Sequence, residues 1–367
     1  MALTDGRGRS ATHAMSIDNA RSLWDVEPGY LNTSSYGPPP RPAWDALQQG
    51  LDDWRAGRTS WEPWADSVEV SRRLFAGLVG VEPGLIATGA SVSQLLAPVA
   101  AAVPDGTRVL VPDIEFTSNV FPWAVHADRG VTVISAPVGE LADAIGPGID
   151  VIAFSAVQSA TGEVADVDAI LAAARRVGAL TVVDSTQATG WLPVDLQGAD
   201  LVVCAAYKWL CSPRGTAFLV HHPLLPSRHP TFAGRLKPLA AGWFAGDVVH
   251  DSYYGLPLRL ADDVRRFDIS PAWHCWVGAA PAVEVIASVG AVAIGEHNIA
   301  LANRFLVSLD QPPSNSAIVS VPADPGAVAR LTTAGVRFGV RAGRVRVAFH
   351  LYSTEQDVDL AVRAIRG

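Results

Sequence analysis

The chain has 367 residues and a mass of 38.6 kDa, with 49% hydrophobic and 17% charged residues. That apolar content supports a packed core and excludes a disordered chain. Twenty-eight basic against 36 acidic residues leave a net charge of −8, which speaks against a nucleic-acid partner, since phosphate binding needs a basic face.

At about 150 residues per domain, the length fits two domains, or one large α/β domain with a smaller appendage. The opening MALTDGRGRSATHAM has no apolar run of a secretory signal. Residues 1–15 read as a flexible extension, with Met15 a second candidate start. Two helices are expected at about 41–56 and 63–79, followed by the turn Thr88-Gly89-Ala90-Ser91. From about 105 to 220, short β-branched runs at 108–112, 131–135, 150–154, 180–184, 200–204 and 216–220 alternate with helical stretches at 119–127 and 166–177. This alternation predicts a mainly parallel sheet with helices on both faces. The last run follows Pro213-Arg214-Gly215 after a gap too short for a helical crossover, so it is expected to be antiparallel.

Residues 222–270, rich in Gly, Pro and aromatics, read as ordered loops, and a long helix is expected from about Ala272. Beyond it, SAIVSV, AVARLTTAGV, VRVAFHL and TEQDVDLAVRAI predict a small α+β domain. The expected division is a large domain over 16–270, whose N-terminal segment is able to pack on the small one, and a small domain over 271–367. The apolar stretch 276–294 is broken by Pro281 and Glu284 and is too short for a membrane span. Three cysteines, Cys204, Cys211 and Cys275, show no C-x-x-C spacing, which points to a reducing cytoplasm. Nine histidines supply no zinc spacing.

Only two lysines occur, Lys208 and Lys237, so chemistry needing an amine nucleophile has two candidates. Lys208 follows the run 200–204, and Asp184 ends the run 180–184. In an open α/β sheet, ligands bind outside the carboxyl ends of the strands. Singly, such an Asp is also a common helix cap and such a Lys a common surface residue. Together they fit pyridoxal 5'-phosphate (PLP), which needs a lysine for its Schiff base and a carboxylate to keep its pyridine nitrogen protonated.

The motifs VVDSTQATG, AAYKWLCSPRGTAFL and ATGASVSQLL, in this setting, resemble the class V aminotransferase family of PLP-dependent enzymes. That family includes cysteine desulfurases, kynureninases and isopenicillin-N-epimerase-like proteins. The resemblance implies the type I fold of PLP-dependent transferases, a large α/β domain with a mainly parallel mixed sheet between helices plus a small α+β domain. It makes Lys208 the Schiff-base lysine, with Asp184 on the pyridine nitrogen and Gln187 near the ring hydroxyl. Ala90, Ser91 and Tyr207 fall at the phosphate, while Ala205 replaces a hydroxyl residue common in relatives. Phe116 takes the place of the ring stacked on the cofactor. Gln158 meets the ring oxygen, with an ambiguity of one residue. Ser270, in RRFDISPAW, would reach the neighbouring subunit's phosphate, which implies a homodimer with shared sites. Arg346 would grip the substrate α-carboxylate, with Tyr36, Trp243 and Phe244 lining the pocket or serving as ordinary packing.

The resemblance implies an enzyme acting on an amino acid, most simply an aminotransferase, with a C–S or C–C lyase or an epimerase as alternatives. A desulfurase is disfavoured: residues 310–345 hold no cysteine, and Phe116 stands where desulfurases carry histidine. A non-catalytic PLP-binding protein stays open. A nicotinamide enzyme is less well supported, because the glycines of G-x-G-x-x-G are missing after Thr88-Gly89.

Overall fold

In the computed structural model, which describes residues 15–367, seven strands build the central sheet. The expected extension lies outside the described residues except for Met15, whose N–H donates to the Ser288 carbonyl at 3.0 Å. The strands are β1 (Ile86–Gly89), β2 (Arg108–Pro112), β3 (Thr132–Ala136), β4 (Val151–Ser155), β5 (Leu180–Asp184), β6 (Leu201–Ala205) and β7 (Ala217–His221). Their spatial order is β1-β7-β6-β5-β4-β2-β3. Strands β2 to β6 pair in parallel, and β7 runs antiparallel to both β6 and β1. Every residue of β4 to β7 is buried, which is why these runs are continuously apolar rather than alternating. The turn-back of β7 agrees with the short link after β6.

The helix Val167–Val177 forms as its periodicity predicts. Asp166 caps it by accepting from the Ala169 N–H at 3.0 Å, and Gly178 ends it in the left-handed region. The helix expected at 119–127 is broken instead. A 3-10 turn (Thr117–Asn119), one helical turn (Phe121–Ala124) and a second 3-10 turn (Ala127–Arg129) take its place. Pro122 has no N–H to offer a preceding turn, so helical bonding restarts there. The loops of 222–270 are ordered, with short helices Leu225–Arg228 and Pro230–Arg235.

A second sheet, in the order β8-β10-β9, contains β8 (Ile318–Val321), β9 (Gly339–Arg341) and β10 (Arg344–Ala348), all antiparallel. The N-terminal segment joins it: Tyr30 bridges Arg337 and Asn32 bridges Ala348. The long helix Trp273–Val289 packs on Arg41–Arg55 and Glu62–Val79, whereas Ala291–Val307 lies against the last helix, Glu355–Arg366. Among the described residues no single helix is long and apolar enough to cross a membrane.

One buried ion pair holds β1 in place. Arg72 and Asp268, each 1% exposed, meet at 2.7 Å, and Asp268 also accepts from the Thr88 N–H at 2.7 Å. Removing Asp268 leaves the buried Arg72 with only the partly exposed Glu69, at 3.0 Å, as counter-charge and leaves the Thr88 N–H without its acceptor. Asp268→Ala is therefore expected to lower stability by about 3–5 kcal/mol, read as a fall in the denaturant midpoint of the purified protein.

Candidate active site

A cavity of about 410 Å³ opens at the carboxyl ends of β1, β4, β5 and β6. Asp184, the last residue of β5, and Lys208, just past β6, both line it. Gly37 lets the chain from Ser34 run tight against the lysine loop. Its N–H donates to the Tyr207 carbonyl at 2.9 Å, and a Cβ there would collide with the Lys208 carbonyl.

Lys208 is 5% exposed, and its amine bonds to none of the described residues. Its Nζ lies 5.2 Å from the Phe116 ring centroid and 5.7 Å from that of Tyr207. Burial pulls the amine down to about 8, against the opposing pull of the Asp184 charge. In the cofactor-free protein Lys208 is thus mostly neutral above that pH and nucleophilic. Its labelling by a small amine reagent, followed by peptide mapping, is expected to be half-maximal near pH 8 rather than near the ordinary 10.5. Burial raises Asp184 above the usual carboxylate range. Its Oδ1 accepts from the Thr186 N–H at 2.8 Å, and hydrogen bonding by Thr186 partly offsets the effect of burial.

The turn after β1 leads into the helix Val92–Ala102, whose N-cap is Ser91. The N–H groups of Ser91, Val92 and Ser93 find no acceptor among the described residues, and Ser91 Oγ accepts from Gln94 N–H at 3.3 Å. The Ala90 N–H is held by Gln94 Oε1 at 3.1 Å. Unmet first-turn donors and the helix dipole favour an anion. Arg214 lines the same cavity, its guanidinium 4.8 Å above the Tyr207 ring.

On β10, Arg346 is 1% exposed. Its Nη2 donates to Ser35 Oγ at 2.6 Å, and Nη1 donates to Ser159 Oγ at 3.1 Å and to the Ser159 carbonyl. Its Nε has no partner, and among the described residues it forms no ion pair with a carboxylate. Burial, and then the Arg341 charge, lower it to about 10.

The cavity thus gathers Ala90, Ser91, Phe116, Asp184, Gln187, Tyr207, Lys208 and Arg346. Gln187 is tied into the protein: Nε2 donates to the Ser34 carbonyl at 2.9 Å and Ser159 Oγ at 3.0 Å, and Oε1 accepts from Trp209 at 2.7 Å. Gln158 turns away and donates to Glu115 Oε2 at 3.1 Å, so the neighbouring residue Ser159 meets the cavity instead. Trp243 also lies elsewhere, in an aromatic cluster with its ring 5.0 Å from Trp61 and 5.4 Å from Tyr253. Phe244 is buried against it. Tyr36 borders the site through its ring, 5.7 Å from Tyr207. Ser270 is exposed and outside the cavity. The sequence reading missed Ser35, Arg214 and Arg341, and reached Ser159 only through the one-residue ambiguity at Gln158. Only Arg214 carried a local signal, in the Pro-Arg-Gly turn six residues after Lys208.

A free buried amine, a buried carboxylate at the next strand end and unmet helix N–H groups match the aldehyde, pyridine nitrogen and phosphate of PLP. The class-V aminotransferase model matches residues 62–336, well over half of the sequence. The chain belongs to the class-V aminotransferase family. It is a PLP-dependent family, and PLP is the cofactor. The chain is 27% identical to an uncharacterized aminotransferase, YcbU, of Bacillus subtilis (strain 168), covering 87% of this chain and 89% of that one. It is 26% identical to the isopenicillin N epimerase of Amycolatopsis lactamdurans, covering 95% and 97%. It is 27% identical to the kynureninase of Salinispora tropica (strain ATCC BAA-916 / DSM 44818 / JCM 13857 / NBRC 105044 / CNB-440), covering 81% and 75%. Among solved structures, the cystine C–S lyase C-DES superposes with a TM-score of 0.79 at 20% identity, covering 93% of this chain and 98% of that one. The Escherichia coli cysteine desulfurase CsdA gives 0.79 at 19% identity, covering 96% and 98%. These structures show the same fold.

Proposed function

We propose that this class V enzyme is an aminotransferase acting on an α-amino acid, with Lys208 as the residue that carries the cofactor. When bound, PLP supplies the electron sink that makes the bond from Cα to hydrogen labile. Asp184 holds a proton at the pyridine nitrogen, and Arg346 orients the substrate through a bidentate grip on its carboxylate. The freed Lys208 amine would take the α-proton and deliver it to the carbon that was the cofactor's aldehyde, two bonds from Cα. The observation that carries this reading is that Lys208 is, among the described residues, the only amine lining the cavity, with the Phe116 ring, which has no proton to give, beside it. Transamination needs one such base. Epimerisation needs two proton donors on opposite faces of Cα.

A β-lyase uses the same first step. The Tyr207 phenol, which lines the cavity, supports keeping it as the second reading, since a phenol there could protonate a departing group. Desulfuration through an enzyme thiol is disfavoured. No cysteine lines the cavity, and burial raises the thiols of Cys204, Cys211 and Cys275. The exposed Ser270 supports a homodimer in which it serves the partner's site, and the cysteine usage supports a cytoplasmic location. The test is a panel of amino acids given without a keto-acid acceptor. An aminotransferase converts one equivalent to the keto acid and stops. Continuous release of a β-group with ammonia would replace this reading with the lyase.

A further inference from the structure

Four cationic side chains, Lys208, Arg214, Arg341 and Arg346, line the cavity against one carboxylate, Asp184. Given the reading above, on which this inference rests, most of these charges have a partner. Lys208 is used by the cofactor and Asp184 by the ring nitrogen. The helix N-terminus and Arg214 face the phosphate, and Arg346 takes the α-carboxylate. Arg341 is left over.

Its position is built by the hairpin. Ala342 and Gly343 both adopt left-handed backbone, with φ of 48° and 72°. Such a two-residue turn matches the twist of its flanking strands and fixes the register. Arg341 therefore sits directly opposite Arg344, and Gly339 opposite Arg346. Paired residues share a face, so Arg341 and Arg346 are diagonal neighbours on that face, with backbones about 7–8 Å apart. Gly339 leaves room between them: a Cβ there would stand 3.4 Å from Arg346 Nη2. The only side-chain hydrogen bond of Arg341 goes to the carbonyl of its own neighbour, Val340, at 2.8 Å, and among the described residues it forms no ion pair. Arg341 is exposed at the rim of the cavity, and its charge is felt by the buried Arg346, so an anion placed between the two is favoured.

We propose that Arg341 is a specificity-determining residue and that the substrate is an amino acid with a second acidic group on its side chain, bound by Arg341 while Arg346 holds the α-carboxylate. A planar guanidinium binds such a group through two parallel hydrogen bonds, which a neutral amide of the same shape cannot accept equally well.

The test uses the holoenzyme and unreactive carboxylates. Glutarate and succinate are titrated against butyrate by calorimetry, and glutamate and aspartate are compared with glutamine and asparagine by kcat/KM. Wild-type protein is expected to prefer the diacids by at least ~10-fold. Arg341→Gln is expected to abolish that preference while leaving butyrate within about twofold, and Arg341→Lys to restore part of it. Equal affinity for diacid and monoacid in the wild type would overturn the proposal, as would an equal loss for both in Arg341→Gln. The wild-type comparison decides the matter even if the variant folds poorly. The cofactor reading fails separately, by absence of a visible band at about 400–430 nm.

Discussion

Replacing Lys208 with alanine is expected to reduce turnover by at least ~10³-fold while the protein stays folded. The Lys208 amine lines the cavity, and burial holds it at about 8, near neutral pH, where a proton shuttle works best. The fold does not depend on it, since Lys208 donates no hydrogen bond to any described residue and pays a desolvation cost for its burial. Melting temperature should therefore hold or rise in the cofactor-free variant. Borohydride reduction of the wild-type holoenzyme, followed by peptide mapping, is expected to place the label on Lys208. A label on Lys237, which lies outside this cavity, would reject the assignment.

Asp184→Asn is expected to keep the fold and cofactor binding but lower turnover by about 10²–10³-fold. The variant can still accept the Thr186 N–H that Asp184 Oδ1 now receives at 2.8 Å, so the turn after β5 survives. What it loses is charge. A fully buried carboxylate with raised proton affinity is suited to share a proton with the pyridine nitrogen. A neutral amide leaves that nitrogen unprotonated and the electron sink weak. Stopped-flow measurement of α-deuterium exchange separates this from a binding defect. Exchange at the wild-type rate would reduce Asp184 to a turn-forming residue.

The sequence alone was enough for the architecture and for bringing Asp184 and Lys208 to one cavity. Continuous apolar runs separated by amphipathic helices can bury both faces of a strand only in a parallel, helix-covered sheet. The ends of β5 and β6 then bring Asp184 and Lys208 to one crevice, because strands of the same direction finish on the same edge. Even the reversal at β7 was legible, from a link too short to cross over. The helix at 119–127 was not, since apolar periodicity there outweighed the proline that interrupts it. What tertiary structure decided was convergence across long separations. Arg346 reaches Ser35 and Ser159, more than 180 residues away in sequence, and no local pattern encodes such a meeting. Ser159 rather than Gln158 faces the cavity because the Glu115 carboxylate, on a separate loop, takes the glutamine amide. Trp243 joined a distant aromatic cluster for the same reason: periodicity marks a side chain as apolar, and only packing selects its neighbours. Arg341 had no sequence signal at all. Its place in the cavity depends on a hairpin register set by two left-handed residues, and on the small sheet closing over the large one.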